Sequence, residues 1–182
     1  MSTPDAGDDA GPREEIDAAE ASRRTFADEF GSMYSDIGGT TMEGRILGYV
    51  MIMQRPYISS AELVTALNAS AGSVSTGTRR LVETGFLKRH VVPGDRSHYF
   101  RADNDVWGSW LAGERRYLDR EREMIEYGLS LIAESADERD AAVRQRLVNG
   151  RDYFSWIAAY HHKMLEDWEA FKAARDAESP TR

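Results

Sequence analysis

The sequence predicts two short helices, residues 59–67 and 71–84, which are about three residues apart and are followed at once by a strand, a tight turn and a second strand. Ser59, with Glu62 three residues later, has the pattern of a capping box. The hairpin is the stretch "FLKRHVVPGDRSHYFRA", residues 86–102, whose Pro-Gly-Asp segment suits a turn. Two helices at this spacing followed by a two-stranded hairpin predict a winged helix-turn-helix, with the hairpin as the wing.

An apolar pattern of helical period precedes this motif. Its members are spaced three and four residues apart and end before Gly38-Gly39: Phe26, Phe30, Met33, Tyr34 and Ile37. A second helix is expected from an N-cap at Thr40 or Thr41 to Pro56. We therefore predict a winged helix-turn-helix DNA-binding domain with an N-terminal helix over residues 14–103. Residues 1–13, rich in Asp, Gly, Ala and Pro, are predicted to be a disordered acidic tail.

The chain after this domain is strongly helical, with two apolar series on either side of a break near Ser135–Asp137. Two long amphipathic helices attached to a small domain have too little of it to pack against, so their apolar stripes need another partner. The same helices of a second chain are the simplest partner. We predict a helical dimerisation region over residues 104–175, a disordered tail over 176–182, and a homodimer. The predicted fold class is mainly α with a small β-hairpin wing.

The formal net charge of -8 hides an uneven distribution along the chain. Residues 1–20 carry -6, whereas residues 70–101, which we name the basic island, carry +4. A local excess of cations in an acidic chain is the electrostatic footprint expected of a nucleic-acid-binding surface. The alternative is an ordinary solvated surface on which six cations gathered by chance.

The second helix of the motif has two different faces when residues are placed 100° apart. Its inward face is expected to hold Val74, Gly77, Thr78 and Leu81. The opposite face carries small hydroxyls near the helix start and arginines further along, and only Glu83 is an anion. Small side chains let a helix approach a major groove, and arginines reach base edges or phosphates. Together with hairpin residues, the predicted DNA contacts are Ser70, Ser73, Ser75, Thr76, Arg79, Arg80, Lys88 and Arg96.

The tip of the wing carries one of these cations. Arg96 has the position from which to enter a neighbouring minor groove, where a narrow A·T tract concentrates negative potential. Asp95 beside it either orients the guanidinium or serves the turn, since Gly-Asp is ordinary hairpin chemistry. We expect a turn role for Gly94 and a mixed role for Asp95.

Three stretches resemble the GbsR-like branch of the MarR superfamily: "GRILGYVMI" at 44–52, "SAGSVSTGTRRLVETGFLKR" at 70–89 and "VPGDRSHYFRA" at 92–102. The resemblance covers roughly residues 25–102, and the helical C-terminus in general character. It implies a homodimeric winged-helix transcriptional regulator whose terminal helices dimerise and whose DNA binding responds to a small-molecule effector. One departure is Gly77-Thr78, where such helices carry a polar and a bulky apolar residue. A glycine there costs about 1 kcal/mol of helix propensity, which predicts a softer recognition helix.

Other chemistries lack the residues that they require. The chain has no cysteine, which excludes disulfides and thiolate metal sites. The stretch 72–78 resembles a phosphate-binding loop but lacks its lysine. His162 and Glu166 have helical spacing without a third metal ligand in reach, so His161 and His162 are expected at a surface or interface. With no nucleophile elbow, HExxH sequence or catalytic carboxylate pair, we predict no enzyme activity, no metal and no cofactor.

Membrane and export signals are also missing from the sequence. No apolar run approaches the roughly 18 residues that a membrane span needs. The first residues have neither the basic start nor the apolar core of a signal peptide. We predict a soluble, cytoplasmic protein without a membrane partner.

Aromatic residues concentrate in the C-terminal helices. One interpretation places them in the core of the dimer or between domains. The other is a pocket between the winged domain and the dimerisation helices, where aromatic faces hold a flat or cationic ligand. The candidate ligand pocket consists of Trp107, Trp110, Tyr153 and Trp156.

These features together predict a homodimeric transcriptional regulator that binds double-stranded DNA in a sequence-specific way. Two recognition helices about one turn of DNA, roughly 34 Å, apart require an operator that is an imperfect palindrome. The alternative function is a winged-helix protein-interaction module that does not read DNA. The basic island favours DNA binding, because a protein adaptor gains nothing from its combination of hydroxyls and arginines.

Overall fold

The computed structural model describes residues 12–132 and 138–178. It has a mainly helical fold with a small antiparallel sheet, which confirms the predicted fold class. The chain forms two compact units that meet in sequence between Asn104 and Asp105. In chain order the elements are α1 (Pro12–Asp36), α2 (Thr41–Ile52), β1 (Ile58–Ser59), α3 (Ser60–Ala66), α4 (Ala71–Glu83), β2 (Lys88–His90), β3 (Tyr99–Arg101), α5 (Val106–Leu131) and α6 (Glu138–Glu178).

Side-chain caps fix the starts of the three short helices of the first unit. Thr40 and Glu43 form a reciprocal capping box at α2, with both hydrogen bonds at 3.2 Å. Ser59 and Glu62 form the predicted box at α3. Ser70 caps α4 by accepting from the Ser73 N–H. Each cap satisfies main-chain donors that a helix start leaves free, so the local sequence sets these boundaries.

The sheet has three strands in the order β1-β3-β2, one more than the predicted hairpin. β2 and β3 pair as expected, with Arg89 opposite Phe100. β1 adds to the other edge of β3 and places Ile58 opposite Phe100. Ile58 and Phe100 are both buried. The wing is therefore anchored to the helical core through an apolar pair at its base.

The inward face of α4 is the one that the sequence predicts. Val74, Thr78 and Leu81 are at most 2% exposed. The Thr78 hydroxyl donates to the carbonyl of Val74 at 2.8 Å, so the buried polar group is satisfied. A Cβ on Gly77 would lie 2.7 Å from Cδ1 of Ile46 in α2. The glycine thus allows α4 to lie close against α2, and this packing gives Gly77 a role that helix propensity alone did not reveal.

The crossing of α1 and α2 also depends on glycines. A Cβ on Gly44 would lie 2.7 Å from Cα of Gly31 and 2.9 Å from the carbonyl oxygen of Phe30. A Cβ on Gly48 would lie 2.8 Å from Cβ of Phe30. These neighbours are main-chain atoms or a Cβ, which no side-chain rotation can move aside. The Gly-x-x-x-Gly spacing in α2 therefore brings its main chain close to α1.

The second unit consists of α5 and α6, which run antiparallel against each other. Contacts pair the start of α5 with the end of α6 and the reverse: the ring of Trp168 reaches Asp105, and Leu147 lies 3.5 Å from the Cβ position of Gly128. Between them, His161 is buried and its Nε2 lies 2.6 Å from the carbonyl oxygen of Leu111. These contacts join the two helices near both ends and at His161 between them.

Several predicted boundaries differ from the structure. α1 begins at Pro12, two residues inside the predicted tail, and α2 ends at Ile52 and not near Pro56. α6 continues to Glu178, three residues into the stretch that the sequence predicts as a C-terminal tail. The remainder of both tails, and the predicted break at Ser135–Asp137, lie outside the described residues.

Candidate nucleic-acid interface

The outward face of α4 presents small hydroxyls and an arginine to solvent. Ser73, Ser75, Thr76 and Arg79 are all exposed, on the side opposite the buried Val74. Small side chains at the helix start leave room for a nucleic-acid backbone or base edge to approach closely. The structure therefore brings these predicted contacts together on one surface.

The serines at the start of α4 also serve its cap. The Ser70 hydroxyl lies 2.8 Å from the Ser73 hydroxyl and accepts from the Ser73 N–H at 3.1 Å. Their first role is therefore structural. Both side chains remain exposed at the positive end of the helix dipole, which favours an anion such as a phosphate.

The two arginines of α4 differ in their surroundings. Arg80 forms an ion pair with Glu83 at 3.7 Å, and both side chains are about half exposed. Arg79 makes no ion pair within residues 12–132 and 138–178. Arg79 can therefore turn to an incoming ligand without leaving a partner, whereas Arg80 must share its charge with Glu83.

The tip of the wing is ordered by Asp95. Its carboxylate accepts hydrogen bonds from the Ser97 N–H at 2.7 Å and from the Tyr99 hydroxyl at 2.8 Å. These hydrogen bonds hold the pKa of Asp95 below its usual value. Gly94 has φ +84°, the left-handed conformation that a turn of this kind assigns to glycine. Arg96 makes no ion pair among the described residues, so the aspartate serves the turn and the arginine extends into solvent.

The base of the wing is less basic than the sequence count suggests. Asp103, just beyond the basic island, forms an ion pair with Lys88 and accepts from Arg101 at 2.6 Å. The predicted contact Lys88 is therefore partly neutralised. Arg89 is exposed and without an ion pair in the part of the chain that the structure describes. Arg89 was not among the predicted contacts, although its place in the Lys-Arg run was a signal for it.

A groove in the second unit contains half of the predicted ligand pocket. It has a volume of about 520 Å³, and it is lined by Trp107, Gly108, Trp110, Leu111, Met164, Asp167, Trp168 and Phe171. Tyr153 and Trp156 do not line it. They lie earlier on α6, where both side chains are more than half exposed. The structure therefore brings Trp107 and Trp110 together and separates them from the other two.

Other site types are not built by the described residues. No group of three His, Cys, Asp or Glu side chains in the described ranges is placed to hold a metal ion. His162 instead pairs with Glu166 at 3.2 Å on the surface of α6. Among the helices that the structure describes, none combines the length and apolar character needed to cross a membrane.

Comparisons with known proteins agree with this architecture. A model of the MarR family matches residues 37–96, which contain the helix-turn-helix and most of the wing. The HTH-type transcriptional regulator MmpR5 of Mycobacterium tuberculosis (strain ATCC 25618 / H37Rv) is 32% identical over 130 residues, 70% of this chain and 77% of the relative. A crystal structure of a transcriptional regulator superposes with a TM-score of 0.72 at 27% identity and covers 82% of this chain and 99% of its own. The chain belongs to the MarR family of winged-helix transcriptional regulators.

Proposed function

We propose that this protein is a sequence-specific DNA-binding transcriptional regulator that acts as a homodimer. The observation that carries the proposal is that two arginines, Arg79 on α4 and Arg96 at the wing tip, are both exposed. Neither forms an ion pair with any of the described residues. The chain as a whole has a net charge of -8. A local group of cations without ion pairs gives the surface a positive potential, which attracts an anionic partner. DNA supplies that partner.

The proposed contacts divide between the two grooves. α4 enters a major groove with its small N-terminal residues, and Arg79 reaches a base edge. Arg96 enters the adjacent minor groove, and Arg80, Arg89 and the serines of the α4 cap contact phosphates. Lys88 keeps a minor role because Asp103 shares its charge.

Exposed aromatic residues on α6 support the homodimer. Tyr153, Trp156 and Tyr160 are each more than half exposed, and the Trp156 and Tyr160 rings stack with centroids 5.6 Å apart. A single chain leaves this apolar stripe in water, and patches of this kind mark association surfaces. A two-fold dimer carries two α4 helices, so we propose an operator that is an imperfect palindrome.

A small-molecule effector is the second part of the proposal. The groove that contains Trp107 and Trp110 is apolar and aromatic, which suits a flat, mostly apolar compound. An effector bound there regulates DNA binding if it favours a spacing of the two α4 helices that misses successive grooves.

Within the family we place the chain in the GbsR-like branch, on its Gly44-Arg45, Gly48-Tyr49 and Pro93–Arg96 motifs. A regulator of this kind acts on chromosomal DNA, so we propose that the protein is cytoplasmic.

A band-shift titration with DNA from upstream of the protein's own gene tests the proposal. Random DNA of equal length serves as the competitor. We expect a discrete complex that survives an excess of random DNA at moderate salt. If random DNA competes as well as the upstream fragment, the protein binds DNA without sequence specificity. Absence of any complex, with the protein folded, would favour the protein-interaction module.

A further inference from the structure

Arg45 of α2 connects three elements of the first unit. Its Nε donates to Oδ1 of Asp28 in α1 at 2.6 Å, and its Nη2 donates to the main-chain carbonyl oxygen of Leu67 at 2.8 Å. Leu67 is the C-cap of α3 and lies three residues before Ser70, the N-cap of α4. One guanidinium therefore joins α1 and α2 to the turn of the helix-turn-helix.

The turn itself is a Schellman motif. Asn68 has φ +47°, its N–H donates to the carbonyl of Thr65, and the N–H of Ala69 donates to the carbonyl of Val64. These bonds use the carbonyls of Val64 and Thr65 inside α3, and Arg45 donates to the carbonyl of the C-cap residue, Leu67. The end of α3 is thus completed by a side chain from another helix. Arg45 therefore contacts the main chain in the turn through which the chain passes from α3 to α4.

The path of Arg45 is prepared by a glycine on α1. A Cβ on Gly31 would lie 2.5 Å from Cγ of Arg45. The absence of a side chain at Gly31 lets the arginine stem run along α1, and only 22% of the Arg45 side chain is exposed. The rigid planar fork of a guanidinium holds two acceptors in fixed directions, which the single ammonium of lysine does not.

We propose that Arg45 is a positioning residue for DNA binding, which sets the direction of α4 through the Leu67 carbonyl and the Asp28 carboxylate. This inference rests on the proposed function. Base-edge contacts require the recognition helix in one orientation, whereas phosphate contacts tolerate small displacements. Asp28 is more than half exposed, so its ion pair adds little to stability. Loss of the link therefore reorients α4 more than it unfolds the chain.

Three variants test this role: Arg45→Ala, Arg45→Lys and Asp28→Asn. Arg23→Ala is the matched control, since Arg23 is an equally buried cation of the same unit and pairs with Glu20 within α1. Fluorescence anisotropy gives the affinity of each protein for the upstream DNA fragment and for random DNA of the same length. Measurements are made well below each variant's melting temperature, which is recorded separately.

The expected readout is the ratio of the two affinities. Arg45→Ala and Asp28→Asn should each lower that ratio about tenfold, the worth of one lost base contact, and leave random-DNA affinity within about twofold. Arg45→Lys keeps the charge but should still lower the ratio of the two affinities by most of the same factor. Arg23→Ala should keep the wild-type ratio. The salt dependence should not change, because Arg45 contacts no phosphate in this account.

Asp28→Asn separates positioning from charge and from stability. If charge alone mattered, removal of an anion would strengthen binding to all DNA, and that result overturns the inference. A lower melting temperature with an unchanged affinity ratio also overturns it, since the role is then only structural. If the wild-type protein itself does not prefer the upstream fragment, the proposed function fails. If the wild type prefers it and the variants do so equally, only the role of Arg45 fails.

Discussion

The hydroxyl of Tyr99 donates a hydrogen bond to the carboxylate of Asp95 at 2.8 Å, which ties the tip of the wing to its second strand. Asp95 is thereby committed to the turn. Its neighbour Arg96 projects from an ordered support without a carboxylate to hold it among the described residues. In the proposed function, Arg96 enters a minor groove from this position.

Arg96→Ala should therefore weaken DNA binding without disturbing the fold. We expect operator affinity to fall about tenfold, with the largest loss on sites flanked by A·T tracts. The slope of log K against log salt should become about 0.9 less steep if one phosphate neutralisation is lost. The free energy of unfolding should stay within about 0.5 kcal/mol, because the hairpin tip buries little.

A salt series on Arg96→Ala provides the measurement, with Arg175→Ala as a control that removes an exposed charge from α6. The control should match the wild type in affinity and slope. If Arg96→Ala and Arg175→Ala have the same affinity and the same salt slope, Arg96 does not contact DNA.

The two arginines of α4 should give different results. Arg79→Ala should cost about 1–3 kcal/mol on the operator and little on random DNA, as expected for a base contact. Arg80→Ala should weaken both kinds of DNA by a smaller, similar amount, because Arg80 shares its charge with Glu83. Parallel anisotropy titrations on the two DNAs measure both effects. Wild-type binding by both variants would show that this face of α4 does not meet DNA.

The exposed stripe on α6 predicts how the protein assembles. Sedimentation of the wild type at micromolar concentration should show two chains per particle. Trp156→Glu should shift the protein towards one chain, because the new charge would be buried in the interface. Ser155→Glu introduces the same charge one residue earlier, on another exposed face of α6, and should remain dimeric. A wild type that stays monomeric at all concentrations is incompatible with this account.

Asp105 predicts a pH dependence of stability. Its carboxylate caps α5 through the Gly108 N–H and accepts from Trp168 and Lys172 of α6. Desolvation raises the pKa of Asp105, but hydrogen bonds from Lys172, Trp168 and Gly108 outweigh it and lower the pKa to about 2. A depressed pKa stabilises the fold above the ordinary value near 3.8, and the contribution is lost as the pH falls towards 2.

Asp105→Asn tests this, since asparagine keeps the capping ability without the charge. At pH 7 it should lower the free energy of unfolding by about 1–2 kcal/mol, a value reduced by solvent because the Asp105 side chain is 29% exposed. Urea titrations at fixed protein concentration should show this gap closing between pH 4 and pH 2. Asp167→Asn removes an exposed carboxylate paired with Lys163 and should change little at any pH. A gap that is constant with pH would contradict the assignment.

The predictable parts of this fold are those that local sequence encodes. The caps at Ser59 and Ser70 and the buried face through Val74 follow from residues within one or two helical turns. β1 could not be predicted, because two residues become a strand only when β3 lies beside them. The ion pair of Lys88 with Asp103 likewise requires the folded hairpin.

The candidate site shows the same division. A helical wheel places hydroxyls and arginines on one face of α4, and the structure agrees. The helical wheel does not show which arginine has an ion-pair partner, whereas the structure pairs Arg80 with Glu83. The wheel also does not show which face of α6 packs against α5. The sequence therefore predicts Trp156 in one pocket with Trp107, whereas the structure places Trp156 outside the groove that Trp107 lines. The long-range contact of Arg45 with Leu67 has no sequence signature of its own.

Hydroxyl-radical footprinting on the upstream DNA tests the central claim most directly, because it reports where α4 and the wing lie. The wild type should protect two half-sites whose centres are about 10 base pairs apart on one face of the DNA, as a winged-helix dimer requires. Arg96→Ala should lose the protection of the flanking minor grooves and keep that of the half-sites. A single unpaired footprint, or no protection at concentrations where the protein is dimeric, would contradict the account of a two-fold regulator that reads DNA with α4 and the wing.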